Sequence, residues 1–108
     1  MKTYTGDRTI DGIRVLVDGE PLDPRFDLCE LCKNGFEWTY EGDAPAQLSL
    51  AILADHFQDD DKALAHHELF MREIVANFDN EWVMGSADID AALANILANG
   101  IGNGMPGE

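Results

Sequence analysis

Positive charge is what this sequence has least of: seven Lys and Arg stand against twenty-one Asp and Glu, a net charge of −14 over 108 residues. A surface that acidic repels nucleic acid and anionic membranes, so direct binding to either is not expected. Cysteine is nearly absent, with two residues, which excludes a disulfide-dense scaffold. Long hydrophobic runs are missing too. The longest, Leu48 to Ala54, includes a serine and is far shorter than a bilayer span. The first residues carry no apolar segment of the kind that directs secretion, so a soluble, cytoplasmic protein is expected. Equally missing are a phosphate loop, a dinucleotide fingerprint, a serine-nucleophile elbow and a calcium loop. No enzyme is expected.

What is present is a chain with apolar residues in periodic segments, long enough to bury a core without metal or disulfide staples. Lys2 to Thr5 alternates, Gly6-Asp7 punctuates it, and Asp11-Gly12 is a hairpin-turn dipeptide. Ile13, Val15 and Val17 are then β-branched at every second position, predicting a strand with those three inward and Arg14 outward. Asp18 to Pro21 reads as a turn, and prolines at 21 and 24 make residues 22–34 a loop with at most one helical turn. Phe36, Trp38 and Tyr40 alternate with Glu37, Thr39 and Glu41, which predicts a half-buried strand with an aromatic face. Gly42-Asp43 turns the chain. Pro45 then suits a first helical position, with Asp43 or Ala44 as cap and Gln47 placed to reach back to a free amide.

From Leu48 to Phe57 apolar residues lie almost all round the helix, so it should be the most buried one. Asp59-Asp60-Asp61 caps the next, whose stripe is Leu64, His67, Met71, Ile74, Val75 and Phe78. Glu81 to Met84 predicts a returning strand. A last helix follows with the face Ile89, Leu93, Ile96 and Leu97 and a stop at Gly100. Strands first, helices after and one strand returning give an α+β domain: a small antiparallel sheet with about three helices on one face. The domain is expected over residues 1–99, with 100–108 as a flexible tail.

Three side-chain groupings invite chemistry. Cys29-Glu30-Leu31-Cys32 has the spacing of half a zinc site, and a full one needs two more ligands. His66 and His67 are adjacent and diverge on a helix, so His56 would have to join one of them. Two ordinary reduced cysteines, or a dithiol of thioredoxin type, are the other readings. His67-Glu68 resembles the start of a metalloprotease motif, but Met71 occupies the position of the second histidine. Finally, Phe36, Trp38 and Tyr40 could stack bases, yet no basic patch adjoins them, and core packing is the expected role.

The run Gly35-Phe36-Glu37-Trp38-Thr39-Tyr40-Glu41-Gly42, continued by Ala44-Pro45-Ala46-Gln47-Leu48, resembles the hallmark of an uncharacterised bacterial and phage domain family. That hallmark reads Gly-Phe-x-Trp-Gly-Tyr-x-Gly-x-Gly-Pro-Ala-Gln-Leu ahead of an alanine- and leucine-rich helix. Tyr4, Gly6, Arg8, the Val15-to-Leu22 segment and Trp82 extend the resemblance over roughly residues 4–97. Thr39 and Ala44 stand where that pattern prefers glycine, and the cysteines lie outside it. The resemblance implies the same fold and an origin on a mobile element. It implies no catalytic residue.

The acid is unevenly spread. Residues 1–35 hold five Lys/Arg against seven Asp/Glu, a balance of −2; residues 36–108 hold two against fourteen, a balance of −12. The expected function is therefore a non-enzymatic interaction protein, a phage or mobile-element inhibitor of anti-CRISPR or other anti-defence type. It would present a DNA-like charge to a basic surface of a nucleic-acid-binding host protein. Glu37, Glu41, Asp43, Asp59, Asp60, Asp61, Glu68 and Glu73 are the candidate partner-binding residues, with Glu37, Glu41 and Asp43 facing away from the aromatic core. The competing reading is a small structural domain whose acid serves only solubility, or a zinc domain built on Cys29 and Cys32. No other cofactor is expected.

Overall fold

A computed structural model describes residues 2–33 and 35–104, with side chains described through residue 98. The chain begins with a hairpin of β1 (Thr3–Thr9) and β2 (Gly12–Val17), continues into a short β3 (Glu20–Pro21), and returns much later as β4 (Trp82–Gly85). All pairings are antiparallel and the strand order is β3-β2-β1-β4. Thr9 pairs with Gly12, so the first turn is Ile10-Asp11, one residue earlier than the Asp-Gly dipeptide suggests. The Thr9 hydroxyl closes it by donating to the Gly12 carbonyl and accepting from the Asp11 amide. The second turn is Asp18-Gly19, both with positive φ, the conformation a two-residue hairpin loop requires.

Strand alternation and register divide the sheet into two faces. Tyr4, Gly6, Arg8, Val15, Val17, Trp82 and Met84 share one; Thr5, Asp7, Arg14, Leu16 and Val83 share the other. The first face carries the core, with Tyr4, Val15, Trp82 and Met84 buried, whereas Val83 is exposed. The inward set predicted for β2 holds at Val15 and partly at Val17, but Ile13 lies near the hairpin end and is exposed, lining an open depression instead of the core. At the centre of the face Gly6 sits beneath the Trp82 indole: a Cβ there would lie 2.3 Å from Trp82 Nε1. Only glycine leaves room for that ring.

Helix α1 (Asp43–Phe57) is the centre of the molecule, with every residue from Pro45 to Ala54 buried. Leu48, Leu50, Ile52 and Leu53 are wholly removed from water, each stabilising the fold by about 2 kcal/mol. The Tyr4 phenol on β1 donates to Asp55 of this helix at 2.6 Å. After Gln58, in left-handed conformation, the Asp59 carboxylate caps α2 (Asp60–Glu73) by accepting from the Lys62 amide. On α2 the buried residues are Ala63, Phe70 and Met71; the predicted stripe is rotated, since Leu64 is exposed and Phe70 takes the central place. A single 3-10 turn over Val75–Asn77 ends this arm, and it leads to β4.

Helix α3 (Ser86–Gly104) follows β4 and buries Ile89, Leu93 and Ile96, the face read from the sequence. It runs past Gly100, where a stop was expected. The flexible tail predicted for 100–108 falls in part on this helix and otherwise on residues 105–108, outside the described ones. The α+β class, a four-stranded antiparallel sheet with three helices, is as the sequence indicated.

One predicted element is absent. Residues 36–40 form no strand but an irregular segment crossing the end of the core. Trp38 is fully buried, Phe36 is half-buried and Tyr40 is 51% exposed, so the three aromatics do not share a face. The cause is Thr39. Its φ of +87° breaks the extended path, and its amide donates to the Val75 carbonyl of the 3-10 turn instead of to a strand.

Candidate interaction surface

The irregular segment is held by Arg8, on the inner sheet face. Arg8 Nη2 donates to Glu37 Oε1 at 2.8 Å and to the Trp38 carbonyl at 2.9 Å, and Nη1 donates to Asn80 Oδ1 at 2.5 Å. The guanidinium also lies 4.6 Å from the Trp38 ring centroid. Trp38 meets Trp82 edge-on at 5.8 Å, and Trp82 stacks on Phe78 at 4.4 Å. Arg8, Trp38, Trp82 and Phe78 thus form one continuous column under the segment. The alternation Tyr4, Gly6, Arg8 is the sequence signal that places Arg8 there.

A second anchor is Gln47, fully buried on α1. It does not reach back to its own helix. Its Oε1 accepts from the amides of Leu31 and Cys32 at 2.7 and 3.0 Å, and its Nε2 donates to the carbonyls of Pro24 and Cys29 at 2.7 and 3.1 Å. All four bonds go to backbone of the loop that otherwise has no regular structure, which gives that loop its fixed course. Arg25 ties its outer side, bridging Asp27 at 3.0 Å and Asp60 of α2 at 3.2 Å. The guanidinium holds the Asp27 carboxyl below the usual carboxylate range.

Between these anchors the chain surfaces as a ridge, Tyr40-Glu41-Gly42-Asp43-Ala44, with a depression on either side. One, of about 600 Å³, is lined by Ile13, Phe36, Tyr40, Ala44 and Cys32. The other, of about 380 Å³, has Leu31, Ala46 and Met71 along it with Glu41, Asp43 and Glu68. The Tyr40 ring rests on Gly42, where a Cβ would come within 3.0 Å of it. Gly42 itself has extended backbone, so the ring and not the dihedral is what a side chain there would disturb.

The eight acids predicted to meet a partner fall into two groups. Four are engaged within the fold: Glu37 with Arg8, Asp59 as the α2 cap, Asp60 with Arg25, and Glu68 with Arg72 at 3.0 Å. Glu37 therefore turns inward, against the outward orientation expected for it, because the buried-side guanidinium of Arg8 needs a counter-charge. Glu41, Asp43, Asp61 and Glu73 are exposed and have no cationic partner among the described residues. Glu41 and Asp43 lie together on the ridge; Asp61 and Glu73 lie at opposite ends of α2.

Cys29 and Cys32 are both free and half-buried on the loop that Gln47 fastens. Among the described residues no three His, Cys, Asp or Glu side chains are grouped so as to hold a metal ion. His56 lies 2.7 Å from Asp90 and links α1 to α3, while the His67 ring lies 2.8 Å from the Leu64 carbonyl of its own helix. His56 and His67 are thereby placed in the fold's own contacts. Among the described residues no helix is long and apolar enough to cross a membrane.

Fold and surface together define a small α+β domain whose outward feature is an acidic ridge with an exposed aromatic edge. The chain belongs to a family of unknown function, DUF6166, matched over residues 4–95. No curated protein and no solved structure matches it. The resemblance to an uncharacterised domain family read from the sequence stands at that level.

Proposed function

We propose that this protein works by binding and not by catalysis: its acidic side docks onto a basic surface of a nucleic-acid-binding host protein and excludes nucleic acid from it. Inhibition of a host defence by a phage or other mobile element, in the manner of an anti-CRISPR protein, is the concrete form of this reading. The observation that supports it is that Glu41, Asp43, Asp61 and Glu73 are exposed carboxylates with no counter-charge among the described residues, within residues 36–108, whose balance is −12. Such a field accelerates encounter with a cationic partner and disfavours anionic ones.

The test is affinity capture from host extract at two salt concentrations, with wild type and a variant carrying Glu41→Lys, Asp43→Lys, Asp61→Lys and Glu73→Lys. These four positions leave the cap, the Arg8 pair and the Arg25 bridge intact. A nucleic-acid-binding protein held by wild type, lost as salt rises and lost in the variant, is the expected result. Retention of the same proteins by the variant would show that the acid serves solubility alone.

A further inference from the structure

We infer that the Tyr40–Ala44 ridge is the docking element, and that it takes a short peptide segment of the partner presenting one apolar side chain and one arginine or lysine. This inference rests on the binding function proposed above and narrows it to one place. The apolar side chain fits the depression of about 600 Å³ lined by Ile13, Phe36 and Tyr40, of which Ile13 and Tyr40 are exposed and Phe36 is half-buried. Tyr40 is 51% exposed and Ile13 37%, and they belong to elements far apart in sequence that the fold brings to one depression. An exposed aromatic beside a pocket is the kind of group that dominates binding energy at protein interfaces.

Charge decides the rest of the occupant. Of the carboxylates around the two depressions, Glu37 and Glu68 are neutralised by Arg8 and Arg72. Glu41 and Asp43 are not, and they line the second depression, across the ridge from the one that Tyr40 lines. A guanidinium on that side of the ridge meets two carboxylates that have no cationic partner among the described residues, while Arg72, which lines the same depression, is already engaged by Glu68. Gly42 matters because a Cβ there would come within 3.0 Å of the Tyr40 ring, so a side chain would push the ring from its place against the chain.

The experiment is a titration of isotope-labelled protein, followed by amide NMR shifts, with three synthetic peptides: Gly-Leu-Gly-Arg-Gly, a second with glutamate replacing the arginine, and a third with glycine replacing the leucine. The first peptide should shift the amides of Ile13, Tyr40, Glu41 and Asp43 and bind at least about tenfold more tightly than either control. Tyr40→Ala and, separately, Glu41→Lys should each weaken it about tenfold, while Asp61→Lys with Glu73→Lys should change it less than about twofold. Equal binding of the three peptides, absence of shifts, or shifts centred on α2 would overturn the inference. If the peptides fail while salt-sensitive capture of a basic partner persists, the ridge is not the docking element and the broader binding function stands. If capture fails as well, both fall.

Discussion

Thr39 shows how one residue can overrule a pattern. A β-branched side chain at φ +87° is strained, and it stays there because its amide bonds Val75 and its hydroxyl donates to the Phe78 carbonyl at 3.0 Å. The resemblance read from the sequence expects glycine at this position, which would adopt that dihedral freely. Thr39→Gly should therefore exceed Thr39→Ala in stability by about 1 kcal/mol, since both lose the hydroxyl and only alanine keeps the strain. Urea denaturation of the two variants checks this, and equal midpoints would remove the strain argument. Tyr4 supplies a second prediction. Burial, and then its bond to Asp55, raises the phenol above its ordinary value of 10.0. Above that pH the unfolded chain loses a proton that the folded chain keeps, so stability falls as pH rises. The slope is at most about 1.4 kcal/mol per pH unit for one proton. Tyr4→Phe should show a shallower decline than wild type between about pH 10 and pH 11, and parallel curves would contradict the assignment.

Among the elements, the loop before α1 depends most on a single side chain. Gln47 satisfies four backbone groups that no strand or helix serves. Gln47→Ala should destabilise the protein by about 3 kcal/mol, and amide exchange should accelerate first at Leu31 and Cys32. Uniform acceleration across the chain would mean that the loop and core open together. Loop composition does not reveal this arrangement, because prolines and turn residues say where regular structure stops and not what replaces it. The β4 edge is likewise settled by a contact: the Gly85 amide is taken by the Asp88 carboxylate at 2.9 Å, which blunts a strand end otherwise open to pairing. The helix face of α3 and the capping Asp59, by contrast, were legible, because a 3.6-residue period and a cap are local properties.

Taken whole, the molecule carries −14 on a small surface, and its own repulsion opposes the folded state. Raising NaCl from about 10 mM to about 0.2 M should stabilise wild type by about 1 kcal/mol. The four-site lysine variant, with net charge near −6 by reversal of four of the carboxylates, should gain clearly less. Equal gains would assign the salt effect to something other than self-repulsion. In the binding reading proposed above the field governs approach and the ridge governs contact, because charge acts over about a Debye length and an aromatic edge only at contact.

The stretch from Gly35 to Leu48 marks the boundary between what is local and what is not. Its composition was enough to announce a turn and a buried α1, because dihedral preference and hydrophobic period act within a few residues, but the helix starts at Asp43, earlier than the Pro45 expected, with Gly42 and not Asp43 or Ala44 as its cap. Its alternation was not enough to make a strand, since a strand needs a neighbour to pair with. The backbone of residues 36–40 is bonded instead to Arg8 and Val75, far away in sequence. That pairing turned Glu37 inward and left Tyr40 outward next to Glu41 and Asp43, and so separated acid that holds the fold from acid left without a cation among the described residues. The amount of negative charge is a property of the chain; which carboxylates remain unpaired follows from where its seven cations are brought by folding.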